Sequence, residues 1–137
     1  VYALSAGVTH STQYAFAAML KAASDSEFNF VEIVKEYGEK AKIMKTLFTD
    51  NGFHIVYDMD ENDPIADGFY FTYSYPNFSG EKLLEEMIYY GISAISLAIT
   101  GSQRLEGIRA CVSLVQRDQF PVLEKRLKKF HEDHPVN

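Results

Sequence analysis

Four stretches of the chain place apolar residues at steps of three and four positions, the spacing of an amphipathic helix. The clearest stripe runs from Phe30 to Phe48, and Gly52 ends that helix because glycine can adopt a positive φ angle. An earlier helix has its apolar positions from Phe16 to Ala23. The last two helices are predicted to pack their apolar residues against a core. These residues are Leu83, Leu84, Met87 and Ile88 in one helix and Phe120, Leu123, Leu127 and Phe130 in the other.

Polar side chains that can accept a hydrogen bond from a free backbone N–H mark the expected helix starts. The expected caps are Thr9, Ser11 or Thr12 for the first helix, Ser79 for the third and Asp118 for the fourth. Gly91 is expected to end the third helix. The polar tail from His131 onward is expected to fray.

Elsewhere the pattern changes to alternation, which predicts strands. Phe53–Asp58 and Phe69–Tyr75 are expected to pair antiparallel across an acidic loop, and Ile92–Ile99 and Ile108–Val115 are two further strands. The element order is therefore ααββαββα. Runs of helices and strands predict an α+β (α/β sandwich-like) fold, with helices packed on one face of a small, largely antiparallel sheet. We expect residues 1–137 to form a single domain.

The composition narrows the class of protein. The chain has 137 residues, is 47% hydrophobic and carries a net charge of −6, which excludes disorder and argues against a nucleic-acid partner. No apolar run is long enough to span a bilayer, so we expect no membrane partner. One cysteine and no signal-like start predict the cytoplasm, and a first residue that is not methionine suggests a part of a longer protein.

Metal ligands are not predicted. The acidic loop departs from the calcium-binding pattern at Asp63, where that pattern requires glycine. His131 and His134 are three residues apart, but no third ligand lies near them in the sequence.

No residue is predicted to be catalytic. Cys111 lies within an apolar strand, which is more typical of a small core residue than of a nucleophile. The lysines fall mainly on polar helix faces, where the lowered pKa of a Schiff-base lysine is not expected. Nucleotide-binding and hydrolase motifs are absent from the sequence.

Arg109 is an unexpected cation near the start of the predicted strand Ile108–Val115. Alternation places it with Cys111 and Ser113 on a small, partly polar face, opposite an apolar face. In one interpretation it lies at an edge or an end of the sheet, where it reaches water or pairs with a nearby acid such as Glu106, and the pattern alone favours this. In the other, its planar guanidinium binds a carboxylate through two parallel hydrogen bonds.

Five segments follow one another in an order known from one enzyme family. They are VTHSTQYAFAAML, VKEYGEKAKIMKTLFTDNGFHIVYD, DGFYFTYSY, LLEEMIYYGISAISLAITGS and GIRACVSLV. Together they resemble the C-terminal small domain of a fold-type I (class I/II) pyridoxal-phosphate-dependent aminotransferase. The resemblance covers nearly all of the chain.

The resemblance implies that Arg109 binds the α-carboxylate of the substrate. It also implies transfer of an amino group between an amino acid and a 2-oxo acid, with pyridoxal 5'-phosphate as cofactor, in a homodimer. The lysine and most other cofactor ligands of the family lie in a large domain, which residues 1–27 would join. This chain alone would then bind no cofactor and be inactive.

Two expectations and two alternatives accompany the resemblance. The loop 99–107 lacks the Pro-Gly-x-x-Phe-Gly pattern frequent in the family, which leaves the substrate open. Without a large domain, Tyr2, Leu4, Tyr14 and Phe16 would expose an apolar patch and drive self-association. The alternatives are a stand-alone module, regulatory or for binding small acids, that uses the same arginine, and a pure interaction domain.

Overall fold

The computed structural model describes residues 7–65 and 68–136, and the chain divides after Glu36 into two compact units. The predicted α+β class with an antiparallel sheet is confirmed. In chain order the elements are α1 (His10–Ser24), α2 (Phe30–Asp50), β1 (His54–Ile55), β2 (Met59–Asp60), β3 (Asp63–Pro64), β4 (Tyr70–Ser74), α3 (Gly80–Tyr89), β5 (Ile95–Ser96), a 3₁₀ turn (Leu97–Thr100), β6 (Ile108–Cys111), a second 3₁₀ turn (Arg117–Gln119) and α4 (Phe120–Asp133).

The first unit contains α1 and the first residues of α2. α1 has no buried residue, and Thr9 is its N-cap without a capping hydrogen bond from the side chain. Tyr14 is 78% exposed and Phe16 is 55% exposed, as expected for the apolar patch. Tyr2 and Leu4 lie outside the described residues. Whether the exposed side chains drive self-association stays a prediction.

The predicted core stripe of α2 is wrong over the first part of the helix. Phe30, Ile33 and Val34 are exposed, and burial begins only at Lys40 and Ala41. Helical periodicity marks which residues share a face, but it does not say how much of that face has another element to cover it.

The second unit is built on a four-stranded antiparallel sheet in the order β1-β4-β6-β5. The predicted hairpin is confirmed, since β1 pairs with β4 through His54 and Ser74. Thr72 of β4 and Ile95 of β5 lie opposite Arg109 of β6, one on each side. β2 and β3 form a separate two-stranded ribbon within the acidic loop.

One face of this sheet carries the core. β4 and β6 contribute alternate residues to it, and α2, α3 and α4 cover it. The fully or nearly fully buried side chains include Met44, Phe48, Phe53, Phe71, Tyr73, Tyr75, Leu83, Met87, Ile108, Ala110, Val112, Leu127 and Phe130. Aromatic rings meet at its centre, where the ring centroids of Phe48 and Tyr73 are 4.1 Å apart. Such ring pairs add to the free energy gained from burial alone.

The strands are shorter than the alternation predicts. Around β1 the backbone N–H of Val56 donates to Thr72 O (3.0 Å), and that of Tyr57 donates to Thr72 Oγ1 (3.2 Å). The second of these bonds goes to a side chain, so regular backbone pairing ends close to Ile55. Val56 is buried and Tyr57 is exposed, so the alternation that begins with buried Phe53 and exposed His54 does not continue.

The predicted strand Ile92–Ile99 is also wrong over most of its length. Only Ile95–Ser96 pairs with β6, because Ser96 Oγ then accepts a hydrogen bond from Ala98 N (3.2 Å) and starts the 3₁₀ turn. Gly101 ends that turn with φ at 82°, a conformation that favours glycine.

Two expectations at the end of β6 fail as well. Leu114, expected on the apolar face, is 79% exposed because the strand ends at Cys111. Asp118 does not cap α4. It lies inside the second 3₁₀ turn, whose start is closed by reciprocal hydrogen bonds between Gln116 and Gln119.

The outer helices differ from expectation at single positions. α4 does not fray at His131, because the helix continues to Asp133 and the Tyr75 hydroxyl is 2.7 Å from His131 Nδ1. Ile88 of α3, expected to face inward, is 58% exposed. Ser79 caps α3 as predicted, and Gly91 follows its end with φ at 73°. None of the helices in the described ranges is long and apolar enough to cross a membrane.

Candidate functional site

Arg109 lies on the sheet face opposite the core. Its neighbours Ile108 and Ala110 are buried in the core, so the pleat of β6 turns the arginine to the other side. Both flanking strands pair with β6 at this residue, which fixes its backbone. The side chain is half-buried. It is therefore not on an edge strand, but it lies near the start of β6, an end position that the first interpretation also allowed.

The guanidinium of Arg109 contacts an aromatic ring instead of an acid. Its Cζ lies 4.3 Å from the ring centroid of Tyr70, over the ring face. Over residues 7–65 and 68–136 the guanidinium forms no ion pair and no side-chain hydrogen bond. Glu106, the acid expected to pair with it, is bound by Arg104 Nε at 2.7 Å. As far as the described residues go, the donors of Arg109 are therefore available to a ligand.

The Glu106 carboxylate is fully engaged by groups of its own loop. A hydrogen bond from a backbone N–H and a second from Arg104 hold the pKa of Glu106 below its usual range. The same contact raises the pKa of Arg104. Arg104 also lies 5.8 Å from the ring centroid of Tyr57. This second arginine is thus neutralised, unlike Arg109.

Cys111 follows Arg109 on the same face and is half-buried. Burial raises the pKa of its thiol, but hydrogen bonds from the Ser113 side chain and from the backbone of Leu114 and Ser113, with the charge of Arg109, outweigh burial and lower it. The two side chains Cys111 and Ser113 are 3.2 Å apart (Sγ to Oγ). The thiol is therefore easier to ionise than an ordinary cysteine, which the sequence did not predict.

A cavity of about 300 Å³ opens beside Cys111 but does not include Arg109. It lies between the end of β6, the turn after α3 and the first half of α4. Its lining residues include Met44, Phe48, Tyr73, Ile92, Cys111 and Arg126. Arg126 Nη1 at its rim donates to Gly91 O at 2.8 Å, which occupies part of that guanidinium.

Lys40 is the lysine that departs from the sequence expectation. It is only 4% exposed, although α2 carries other lysines on its polar sides. Its Nζ donates to the backbone oxygen of Ser113 at 3.4 Å and lies 5.8 Å from the ring centroid of Tyr37. The amine thus binds a carbonyl near the end of β6.

The two histidines of the tail hold the end of α4. His131 Nδ1 is 2.7 Å from the Tyr75 hydroxyl, and His134 Nε2 is 3.5 Å from a carboxylate oxygen of Glu86. Within the part of the chain that the structure describes, no group of three or more His, Cys, Asp or Glu residues could hold a metal ion.

The loop before β6 is bound to the start of α3. Gly80 N donates to Leu105 O at 2.8 Å, and Leu97 N donates to Gly107 O at 3.0 Å. The hydroxyls of Tyr57 and Ser102 are 2.6 Å apart, so the middle of this loop is also held. The loop that lacks the family pattern therefore still has defined contacts leading into Arg109.

Sequence reasoning located Arg109 and its face but missed what surrounds it. Alternation put Tyr70 on the noncore face of its own strand, yet nothing in the sequence gives the register that brings it beside Arg109. The burial of Lys40 had no visible signal. The hydrogen bonds that lower the pKa of Cys111 are made by Ser113 and Leu114, which lie just after the end of β6.

Comparison with known proteins gives a likeness of fold. No protein-family model and no curated protein matches the sequence. A solved structure described as a NifS-like protein is similar in fold, with a TM-score of 0.54 and 17% sequence identity. The match covers 73% of this chain and 28% of that one. At this identity the comparison establishes the fold, and it concerns a minor part of a longer protein.

Proposed function

We propose that this chain is the C-terminal small domain of a fold-type I pyridoxal-phosphate-dependent enzyme, and that the whole enzyme is an aminotransferase. The resemblance of the five segments supports the family. The fold likeness to 28% of a NifS-like protein supports a small domain within a longer enzyme.

The unpaired guanidinium of Arg109 carries the proposal. It is half-buried, its backbone is held between two strands, and it has no acidic partner among the described residues. A substrate carboxylate would satisfy it through two parallel hydrogen bonds. We therefore assign Arg109 the α-carboxylate of the substrate. We assign no residue of this chain a catalytic or metal-binding role.

Arg109 would act by orientation. Two bonds to one carboxylate fix its plane, and so restrict how the adjoining α-carbon can turn. When bound, pyridoxal phosphate supplies the electron sink for amino-group transfer between an amino acid and a 2-oxo acid.

Lys40, the buried lysine of the described residues, does not fit the cofactor lysine. A Schiff-base lysine needs a free amine in an open site, and the buried Lys40 gives its amine to Ser113 O. We propose that the cofactor lysine and most other cofactor ligands belong to a large domain. This chain alone would then bind no cofactor and be inactive.

The remaining parts of the proposal follow from the family. The partners would be an amino acid and a 2-oxo acid, a large domain joined through residues 1–27, and a second copy of the enzyme in a homodimer. Nucleic acid and membrane are not expected partners. We propose a cytoplasmic location.

Two other functions use the same observations. Another activity on the same fold type is the first of these, because the fold likeness is to a NifS-like protein. The unpaired Arg109 would equally serve a stand-alone module, regulatory or for binding small acids.

The first experiment is to read the coding sequence ahead of Val1. The proposal expects a domain with a Schiff-base lysine there, and the polypeptide of the whole reading frame should transaminate. Another pyridoxal-phosphate-dependent reaction without transamination would favour a different enzyme of the same fold type. Tight, saturable binding of a 2-oxo acid by the 137-residue chain alone would favour the module.

The second experiment tests Arg109 in that polypeptide. Arg109→Ala should raise KM for both substrates about 10- to 100-fold, the value of charge-assisted hydrogen bonds to a carboxylate. Arg104→Ala is the matched control, because its guanidinium is already bound by Glu106. Equal KM values for the two variants would overturn the assignment.

A further inference from the structure

The outer face of the sheet places an aromatic ring diagonally across from Arg109. The register pairs Thr72 with Arg109 and Tyr70 with Cys111, so Tyr70 and Arg109 lie two positions apart on neighbouring strands. Diagonal neighbours on one face are within reach when one side chain is aromatic and the other is long. The 4.3 Å from Arg109 Cζ to the Tyr70 ring centroid shows that they meet.

We propose that Tyr70 is a positioning residue for Arg109, which it holds by its ring face so that the N–H edge of the guanidinium stays open to one carboxylate. This inference rests on the substrate-binding role proposed for Arg109. It concerns how the arginine is prepared for the ligand.

An aromatic ring suits this task better than an acid. A ring face attracts a cation within about 6 Å through its quadrupole, and the attraction does not consume the in-plane N–H donors. A carboxylate neighbour would also hold the arginine, but it would occupy the donors that the ligand needs. A long arginine side chain held in place beforehand loses less conformational freedom when the ligand binds.

The other arginine–tyrosine pair of this unit shows the contrast. Arg104 lies farther from its ring, 5.8 Å from the centroid of Tyr57, and Glu106 binds its Nε. That arginine is held by an acid and has less to offer a ligand. Tyr57→Leu therefore serves as the matched control for Tyr70→Leu.

The contact can be tested first in this chain by NMR of the arginine Nε–H groups. Arg109 should show a proton shift to high field from the Tyr70 ring, together with restricted motion. Tyr70→Leu should remove both, while Tyr70→Phe and Tyr57→Leu should keep both. An Arg109 signal that is the same in the wild type and in Tyr70→Leu would overturn the proposal.

The effect on the ligand is tested in the transaminating polypeptide. Tyr70→Leu should raise KM for the amino acid and the 2-oxo acid about two- to fivefold, with kcat little changed, and Tyr70→Phe should restore the wild-type values. If Arg109→Ala raises KM and Tyr70→Leu does not, this inference fails and the proposed function stands. If Arg109→Ala has no effect, the proposed function fails.

Discussion

Gly80 is the glycine whose replacement should disturb both the fold and the approach to Arg109. It is the first residue of α3, and its N–H donates to Leu105 O at 2.8 Å. A Cβ atom added to Gly80 would lie 2.5 Å from Gly107 O and 2.8 Å from Leu105 O. Both atoms belong to the backbone, so no side chain can rotate away. Either α3 or the loop that leads into β6 must move.

The cost of Gly80→Ala can be worked from this geometry. Forcing an extra methyl group into a packed site costs about 1–3 kcal/mol. Replacing glycine by alanine in a helix recovers at most about 0.5–1 kcal/mol. We therefore expect Gly80→Ala to lower the free energy of unfolding, by up to about 2.5 kcal/mol. Gly38→Ala is the matched control, because Gly38 lies inside α2 with nothing within 4 Å of the added atom.

Urea unfolding followed by circular dichroism measures both variants. The urea midpoint should fall for Gly80→Ala and rise for Gly38→Ala, each with an unchanged m value. For Gly38→Ala the rise should correspond to about 0.5–1 kcal/mol in the free energy of unfolding. NMR of the Gly80→Ala chain should also show shifted amides at 105–109. If the two variants change stability in the same direction, the steric argument is refuted.

Three further predictions concern titratable side chains. Cys111 should react with a maleimide at lower pH than an ordinary thiol, because its pKa is lowered, and Ser113→Ala should move the midpoint of the rate profile up. Burial and the Asp133 carboxylate raise the pKa of Tyr90 to about 12. The stability that the protonated Tyr90 hydroxyl contributes is therefore present below pH 10 and is lost as pH rises toward 12. Tyr90→Phe should therefore make unfolding less dependent on pH in that range. Tyr73→Phe should change the free energy of unfolding by less than about 0.5 kcal/mol, because the fully buried Tyr73 hydroxyl reaches only the sulfur of Met87, at 3.8 Å.

The sequence predicted element types better than their extents. The helices and the hairpin of β1 with β4 were visible because each has its own periodicity. The strand Ile92–Ile99 failed because a short apolar run has no signal for where pairing stops, and Ser96 turns the chain with its own hydroxyl. The buried half of α2 could not be separated from its exposed half, since both halves have the same period.

The candidate site divides in the same way. Alternation gave the face of Arg109, because that depends only on the residues of its own strand. Its neighbours depend on the register of β6 with β4 and with β5, and register between strands is a tertiary feature. The sequence therefore offered Glu106 as the partner of Arg109 because it is close in the chain.

Register supplies Tyr70 instead, and this changes what Arg109 can do. A salt bridge to Glu106 would have left a neutral pair of little value to stability or binding. Contact with a ring leaves a positive charge with open donors on a fixed strand. Arg104, close in sequence to Arg109, takes up Glu106 and so keeps that acid from competing. The functional interpretation of Arg109 thus depends on two contacts together: the ring that holds it, and the second arginine that binds the acid closest to it in the sequence.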